Sequence, residues 1–299
     1  MSPGHSEQMS TVLVTGSSSG FGELTVKTLA SGGYRVFASM RDTRGRNAEA
    51  ARRLTEWATD RGLALSVIEL DVTSDASVHA AMEHMHAIEA GLDVVVNNAG
   101  ASAMGPLEAF SIDQMAALLN LNVLGPMRVN KAVLPSMRAR RSGLIVWVTS
   151  TLGRVLPGRG GLYPATKWAA EGFAESLHHQ VAPFGIDVVI LEPGSFPTPA
   201  TFKAMQAEDA GVVAEYAEVA GLPVRARRPD GAYTPPDPQE VADAVLELIE
   251  MPAGQRPLRR VVGPVFTEGV AEYNETYVRL RADMEQILRR PDQAITWTR

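Results

Sequence analysis

Residues 11–22 read TVLVTGSSSGFG, a short apolar and β-branched run that gives way to a turn with glycine at 16, 20 and 22. A continuous apolar run of this kind suits a strand buried on both faces. Glycines at its end let the backbone pass close to a ligand, and the helix that follows offers free N–H groups and a positive dipole end, which a pyrophosphate requires. The spacing is GxxxGxG and not the GxGxxG of the general dinucleotide fingerprint, so position at the start of a β–α series carries the reading. Gly16, Ser18, Ser19, Gly20, Phe21 and Gly22 are therefore the expected cofactor cradle.

Outward from that stretch, similar runs recur at 34–40 (YRVFASM), 65–71 (LSVIELD), 92–100 (LDVVVNNAG), 143–150 (GLIVWVTS) and 186–194 (IDVVILEPG). Between them lie helical stretches such as 76–90, where Val78, Ala81, Met82, Met85 and Ile88 form one stripe. Alternation of strand and helix predicts an α/β, single-domain, Rossmann-like doubly wound parallel sheet of about seven strands with helices on both faces. Residues 1–9 read as a tail and 10–299 as that one domain. Within it, 195–236 is rich in Pro, Gly and Ala, has no strand signal, and reads as a substrate lid. A helix is expected over 238–250, opened by Asp237 and Pro238, then a last strand at RRVVGP (259–264) and a closing helix over 267–290.

Composition narrows the function classes. With 299 residues, 45% hydrophobic, 21% charged and a net charge of −6, the chain is an ordinary globular protein and a poor match to a nucleic-acid backbone. The basic runs Arg138, Arg140, Arg141 and Arg225, Arg227, Arg228 read as solvated helix ends and loops. There is no cysteine, which excludes disulfides, thiolate nucleophiles and cysteine-held metals. The first ten residues lack a leader pattern, and the apolar runs are strand-sized. A cytoplasmic protein with a small-molecule substrate, no nucleic acid and no membrane is expected.

At the end of the second run, where an acidic residue would bind a ribose 2′-hydroxyl and select NAD(H), the chain has Met40 and Arg41. A guanidinium there can bind a 2′-phosphate with two charge-assisted hydrogen bonds. NADP(H) is the expected cofactor, with Arg44 in support, and Asp42 keeps NAD(H) possible. Further on, Tyr163 and Lys167 stand four apart in YPATKWAAEGF and share a helix face. A neighbouring ammonium favours the phenolate and is expected to lower the phenol from its usual value of about 10. Ser150, at the end of GLIVWVTS, can hydrogen-bond a substrate oxygen, with Thr149 and Thr151 as neighbours of similar chemistry. NNAG (97–100) brings Asn98, Ala99 and Gly100 to another strand tip, and Asn122 lies in the helical stretch LLNLNVLG.

Taken together, TGxxxGxG, NNAG, a helix asparagine, serine and YxxxK resemble the short-chain dehydrogenase/reductase family over about residues 11–198. The resemblance implies that Tyr163 is the acid/base, that Ser150 orients the substrate oxygen, that Lys167 binds the nicotinamide ribose and tunes Tyr163, and that Asn122 holds a water of the proton relay. It further implies that Asp71 contacts adenine with Val72 beside it. PGSFPT (Pro193, Gly194, Phe196 and Thr198 within it) would meet the carboxamide. VFASMRD is similar to members acting on steroids and retinoids, and the family implies a homodimer or homotetramer. The expected activity is hydride transfer between NADP(H) and an apolar secondary alcohol or ketone. A nucleotide-sugar epimerase or dehydratase, or a non-catalytic NADP(H)-binding redox sensor, are the alternatives. No metal site is expected: His79, His84 and His86 read as a solvated helix face, His178 and His179 as helix surface or subunit contact. Trp147 and Trp168 read as core.

Overall fold

The computed structural model describes residues 10–89, 91–156, 161–198, 203–220, 236–264 and 267–288. The expected tail over 1–9, Phe202 and Leu222 of the lid, and Arg225, Arg227 and Arg228 lie outside the described residues.

Strand and helix alternate through β1 (Thr11–Val14), α1 (Gly20–Ser31), β2 (Arg35–Met40), α2 (Ala48–Thr59), β3 (Leu65–Glu69), α3 (Asp75–His86) and β4 (Val94–Asn97). A short β5 (Ala103–Met104) leads to α4 (Ile112–Leu119), a π-helical turn at Asn120–Leu124, α5 (Gly125–Arg140), β6 (Gly143–Val148), α6 (Leu162–Val181) and β7 (Ile186–Pro193). Then come β8 (Met205–Gln206), α7 (Ala210–Ala220), α8 (Gln239–Glu250), β9 (Arg259–Val262) and α9 (Thr267–Leu288).

Seven strands form one parallel sheet in the order β3-β2-β1-β4-β6-β7-β9. Successive residues point to opposite faces, so each central strand feeds two cores. Leu13, Phe37, Val95, Ile145 and Ile190 pack with α3, α5 and α6, while Val12, Val14, Val36, Val96 and Val189 pack with α1 and α8. Trp147 is buried in the first of these layers. Trp168 is a correction: it is 41% exposed, because the position after Lys167 on α6 turns away from the sheet. Ile88 departs from its predicted stripe in the same way, since α3 ends at His86 and leaves it 40% exposed.

The order reverses between β1 and β4, so connections leave to either side and a crevice opens beyond the carboxyl ends of the strands. Beside it lies the third difference from expectation. The 195–236 stretch contains a strand, β8, paired in parallel with β5, and the helix α7. Asp209 N–H donates to Ala109 O at 3.1 Å and the Tyr216 hydroxyl to Glu108 at 2.9 Å, which fastens this segment over residues 102–110. A two-residue strand is too short to leave a periodic signal. Asp237 Oδ1 accepts the Gln239 N–H at 2.9 Å, so it caps α8 as its position in the sequence suggests.

Candidate active site

The tips of β1 and β4 are sewn together by hydrogen bonds. Thr15 Oγ1 accepts the N–H groups of Asn98 and Ala99, each at 3.0 Å, and Asn98 Nδ2 donates to the carbonyls of Thr15 at 2.8 Å and Gly16 at 3.1 Å. This stitching explains two glycines. Gly16 has φ +70°, and a Cβ on it would sit 2.8 Å from Ala99 Cα. A Cβ on Gly22 would sit 2.3 Å from the Gly16 carbonyl oxygen and 2.5 Å from Asn98 Nδ2. Gly22 thus keeps α1 close under the turn and does not line the cleft, whereas Gly16, Ser18, Ser19, Gly20 and Phe21 do. The first turn of α1 has no side-chain cap, which leaves its N–H groups for a ligand.

These residues open onto one cleft of about 1360 Å³ that runs along the strand tips. Arg41, Asp71, Val72, Asn98, Ala99 and Gly100 line it on one side of the reversal point. On the other are Ser150, Tyr163, Lys167, Pro193, Gly194, Phe196 and Thr198. Gly22 and Asn122 are the two predicted site residues that do not line it. Phe196 stands edge-on to Phe21, ring centroids 5.5 Å apart, and joins the turn after β7 to the glycine turn.

At the far end of β2 the geometry separates three residues that the sequence left together. Asp42 turns its carboxylate onto its own loop, where Oδ2 accepts the Arg46 N–H at 2.8 Å, and it does not line the cleft. Arg44 also points elsewhere, and it is Arg46, with Asn47, that lines the cleft beside Arg41. Glu69 fixes this loop by accepting the N–H groups of Asp42 and Thr43, each at 2.9 Å, and the Thr43 hydroxyl. Nothing in the sequence marks Arg46, because its place depends on a loop folded back by carboxylates. At Asp71, burial pushes the carboxyl up, but the Thr73 hydroxyl and N–H, with Arg41 and Arg128, outweigh it and hold the group below its usual range.

The Tyr163–Lys167 pair sits in the first two turns of α6, with Pro164 in the first turn, where a missing N–H costs nothing. Lys167 Nζ donates to the Val148 carbonyl at 2.9 Å and lies 5.7 Å from the centre of the Tyr163 ring. Burial pulls the Lys167 ammonium down to about 8, against a smaller upward pull from Glu171. The Tyr163 phenol moves opposite to the sequence expectation: burial pushes it up, and the hydrogen bond with Ser150 only partly offsets this. Desolvation penalises the phenolate more than the neighbouring dipoles reward it, so the group stands as a protonated acid at neutral pH. Ser150 is itself buried, and its hydroxyl oxygen accepts the Leu152 N–H at 3.2 Å.

Asn122 occupies the π-helical turn. Its Nδ2 donates to Ala101 O and to Thr166 Oγ1, both at 2.9 Å, and its Oδ1 accepts the Ala101 N–H at 2.9 Å. The side chain is thereby committed to tying α4 and α5 to the segment after β4 and to α6. Its backbone carbonyl faces a different situation, because the residue four ahead is Pro126, which has no N–H to give. The missing donor coincides with the wide turn at Asn120–Leu124.

At the opposite end from Arg41 the cleft is walled by Met104, Leu107, Leu152, Val213 and Tyr216, with Glu108, Lys203 and Gln206 as its polar members. Glu108, Lys203 and Gln206 carry no signal that sequence reasoning could have used. Among the described residues, His79 and Glu83 make an exposed pair at 3.6 Å, and His178 Nδ1 meets the Val188 carbonyl at 3.0 Å. No described helix is long and apolar enough to cross a membrane.

Comparison with known proteins finds relatives of the same fold. Residues 10–209 match the family model described as short chain dehydrogenase. Human retinol dehydrogenase 5 is 42% identical over 193 residues, which cover 64% of this chain and 58% of that protein, so the match spans well under two thirds of that relative. A solved short-chain dehydrogenase from Streptomyces avermitilis superposes with a TM-score of 0.74 at 32% identity, covering 94% of this chain and 97% of that one. The alcohol dehydrogenase of the archaeon Thermococcus sibiricus, complexed with 5-hydroxy-NADP, superposes with a TM-score of 0.68 at 26% identity, covering 87% and 98%.

Proposed function

Because this chain belongs to the short-chain dehydrogenase family, we propose that it passes a hydride between NADP(H) and an apolar secondary alcohol or ketone. One observation carries the proposal: the glycine turn, Arg41, Ser150, Tyr163 and Lys167 all line a single cleft at the point where the strand order reverses. The residues present fit a dinucleotide, since the backbone at Gly16 comes as close to Ala99 as a hydrogen atom in place of a side chain permits, and the uncapped start of α1 faces the cleft. Arg41 and Arg46 suit a ribose phosphate, and the carboxylate that would repel it is turned away. The alcohol dehydrogenase solved with an NADP analogue supports the same choice.

In this reading the first-turn N–H groups of α1 hold the pyrophosphate, Lys167 holds the nicotinamide ribose, and Pro193, Gly194, Phe196 and Thr198 meet the carboxamide. When bound, the nicotinamide supplies or accepts hydride at its C4. Ser150 donates a hydrogen bond to the substrate carbonyl oxygen and fixes its direction. Tyr163 gives its proton to that oxygen as the carbon gains hydride, and the protonated resting state of the phenol suits the reducing direction. Lys167 keeps a positive charge beside the phenolate left behind. Asn122 positions the next member of the proton relay through its backbone carbonyl. The apolar wall of Met104, Leu107, Leu152 and Val213 excludes water and selects an apolar substrate.

The test is oxidation of NADPH at 340 nm with a panel of apolar ketones, beside the same panel with NADH. Turnover is expected with NADPH. Tyr163→Phe is expected to lower it by roughly 10²- to 10⁴-fold with the fold intact. Undiminished turnover in that variant refutes the proposal, and binding of NADPH without turnover of any ketone favours a redox sensor.

A further inference from the structure

Behind the catalytic pair lies a buried cluster that none of these steps uses. Glu171 and Glu175 continue the four-residue spacing of Tyr163 and Lys167 down α6. Glu171 is 2% exposed; its Oε1 accepts the Thr149 hydroxyl at 2.7 Å and its Oε2 the Arg259 Nε at 3.0 Å. Arg259, on β9, also reaches Glu175 at 2.6 Å and Glu192 of β7 at 3.4 Å. Glu192 is fully buried and accepts Asn274 Nδ2 at 2.6 Å. Asn274 Oδ1 in turn accepts Arg154 Nε at 2.8 Å. The Arg154 guanidinium lies 4.6 Å from the Tyr273 ring centre and 4.8 Å from that of Tyr277, all on or against α9.

Buried carboxylates in this density must be paired with cations or neutralised by protonation. Burial pushes the Glu192 carboxyl up to about 8 and the Glu171 carboxyl up as well, while Arg259 and the Thr149 hydroxyl pull Glu171 back toward its charged form; the acid whose charge acts on Lys167 is Glu171, one helical turn away. We infer that Glu171 is a positioning residue for the reaction: anchored by Thr149 and Arg259, it supplies the negative charge facing Lys167 and ties the catalytic helix to α9 through Arg259, Glu192 and Asn274. The inference rests on the role given to Lys167 above.

The groups facing Lys167 are Tyr163 and Glu171 of α6, the Val148 carbonyl of β6 and Ser150 beyond it. Those facing Glu171 are Thr149, Arg154, Glu175, Glu192, Arg259 and, through Arg259, Tyr277. Arg281 and His179 reach the cluster's rim at Glu175. Glu171→Gln removes the charge of this acid without changing its shape.

The chain has four lysines, so carbon-13 labelling at lysine Cε gives a spectrum in which Lys167 can be followed directly through a pH titration. Glu171→Gln is expected to move the Lys167 midpoint down by about one pH unit, the usual effect of losing an opposite charge at close range. Thr149→Val, which removes the hydroxyl that favours the charged form of Glu171 without altering volume, is expected to move it in the same direction, and Thr149→Ser to restore it. The basic limb of the kcat/KM profile for NADPH-linked reduction should follow the midpoint. An unchanged Lys167 midpoint in folded Glu171→Gln overturns the inference; if that variant does not fold, an unchanged midpoint in Thr149→Val does so. Because the titration needs no turnover, a failure of the proposed reaction shows itself separately, in Tyr163→Phe.

Discussion

Replacing Arg41 by alanine is the most informative single perturbation of the cofactor end. The side chain is exposed at the cleft wall, Arg46 stands beside it, and the competing carboxylate of Asp42 is held on the Arg46 N–H at 2.8 Å. A hydrogen bond to a charged partner contributes about 1.5–3 kcal/mol. Exposure and salt screening place Arg41 at the lower end, about 1.5 kcal/mol, which is roughly tenfold in affinity. Arg41→Ala is therefore expected to weaken NADPH binding about tenfold and to leave NADH, which has no 2′-phosphate, nearly unchanged. Arg46→Ala should have a similar but smaller effect, and the double variant should lose less than the product, since both groups would bind the same phosphate. The assay is direct titration of NADPH and NADH fluorescence at low and at high salt, and the gap between the cofactors should narrow as salt rises. Equal losses for NADPH and NADH in Arg41→Ala, or a wild-type protein that binds NADH more tightly, would refute the reasoning.

Other outcomes follow from the same coordinates. The Lys167 ammonium, pulled down to about 8, is charged below that pH and neutral above it, so ketone reduction should fall as the pH rises through about 8 in a kcat/KM profile. Alcohol oxidation needs the phenolate, and burial holds the Tyr163 phenol above its usual value, so oxidation should keep rising toward alkaline pH when assayed with NADP⁺. Gly22→Ala should destabilise the fold by about 1–3 kcal/mol, the usual range for overpacking, because the new methyl meets the Gly16 carbonyl oxygen at 2.3 Å. Thermal unfolding and NADPH titration should both register it, and a wild-type melting curve would show that α1 can shift freely. Tyr216→Phe removes an exposed hydrogen bond to Glu108, and its effect on substrate KM should stay within a few-fold.

The apolar runs and the helical spacing of the linking segments pointed to the parallel sheet, because strands buried on both faces are written mostly in apolar residues. Chemistry that lies within one turn or one strand tip was legible for the same reason: the glycine turn, NNAG, and Tyr163 with Lys167 are local patterns. Distant groups were not. That Arg46 and not Arg44 faces the cleft depends on Glu69 and Asp42 folding a loop. The direction in which the Tyr163 phenol shifts depends on how much water the assembled site excludes, a quantity that no spacing encodes. Glu171, Glu192, Arg259 and Asn274 come from four separate stretches and meet only because β7 lies between β6 and β9 in the sheet and α9 packs against β9. Local physics fixed the backbone pattern and the reactive pair, while long-range packing decided which charges surround them.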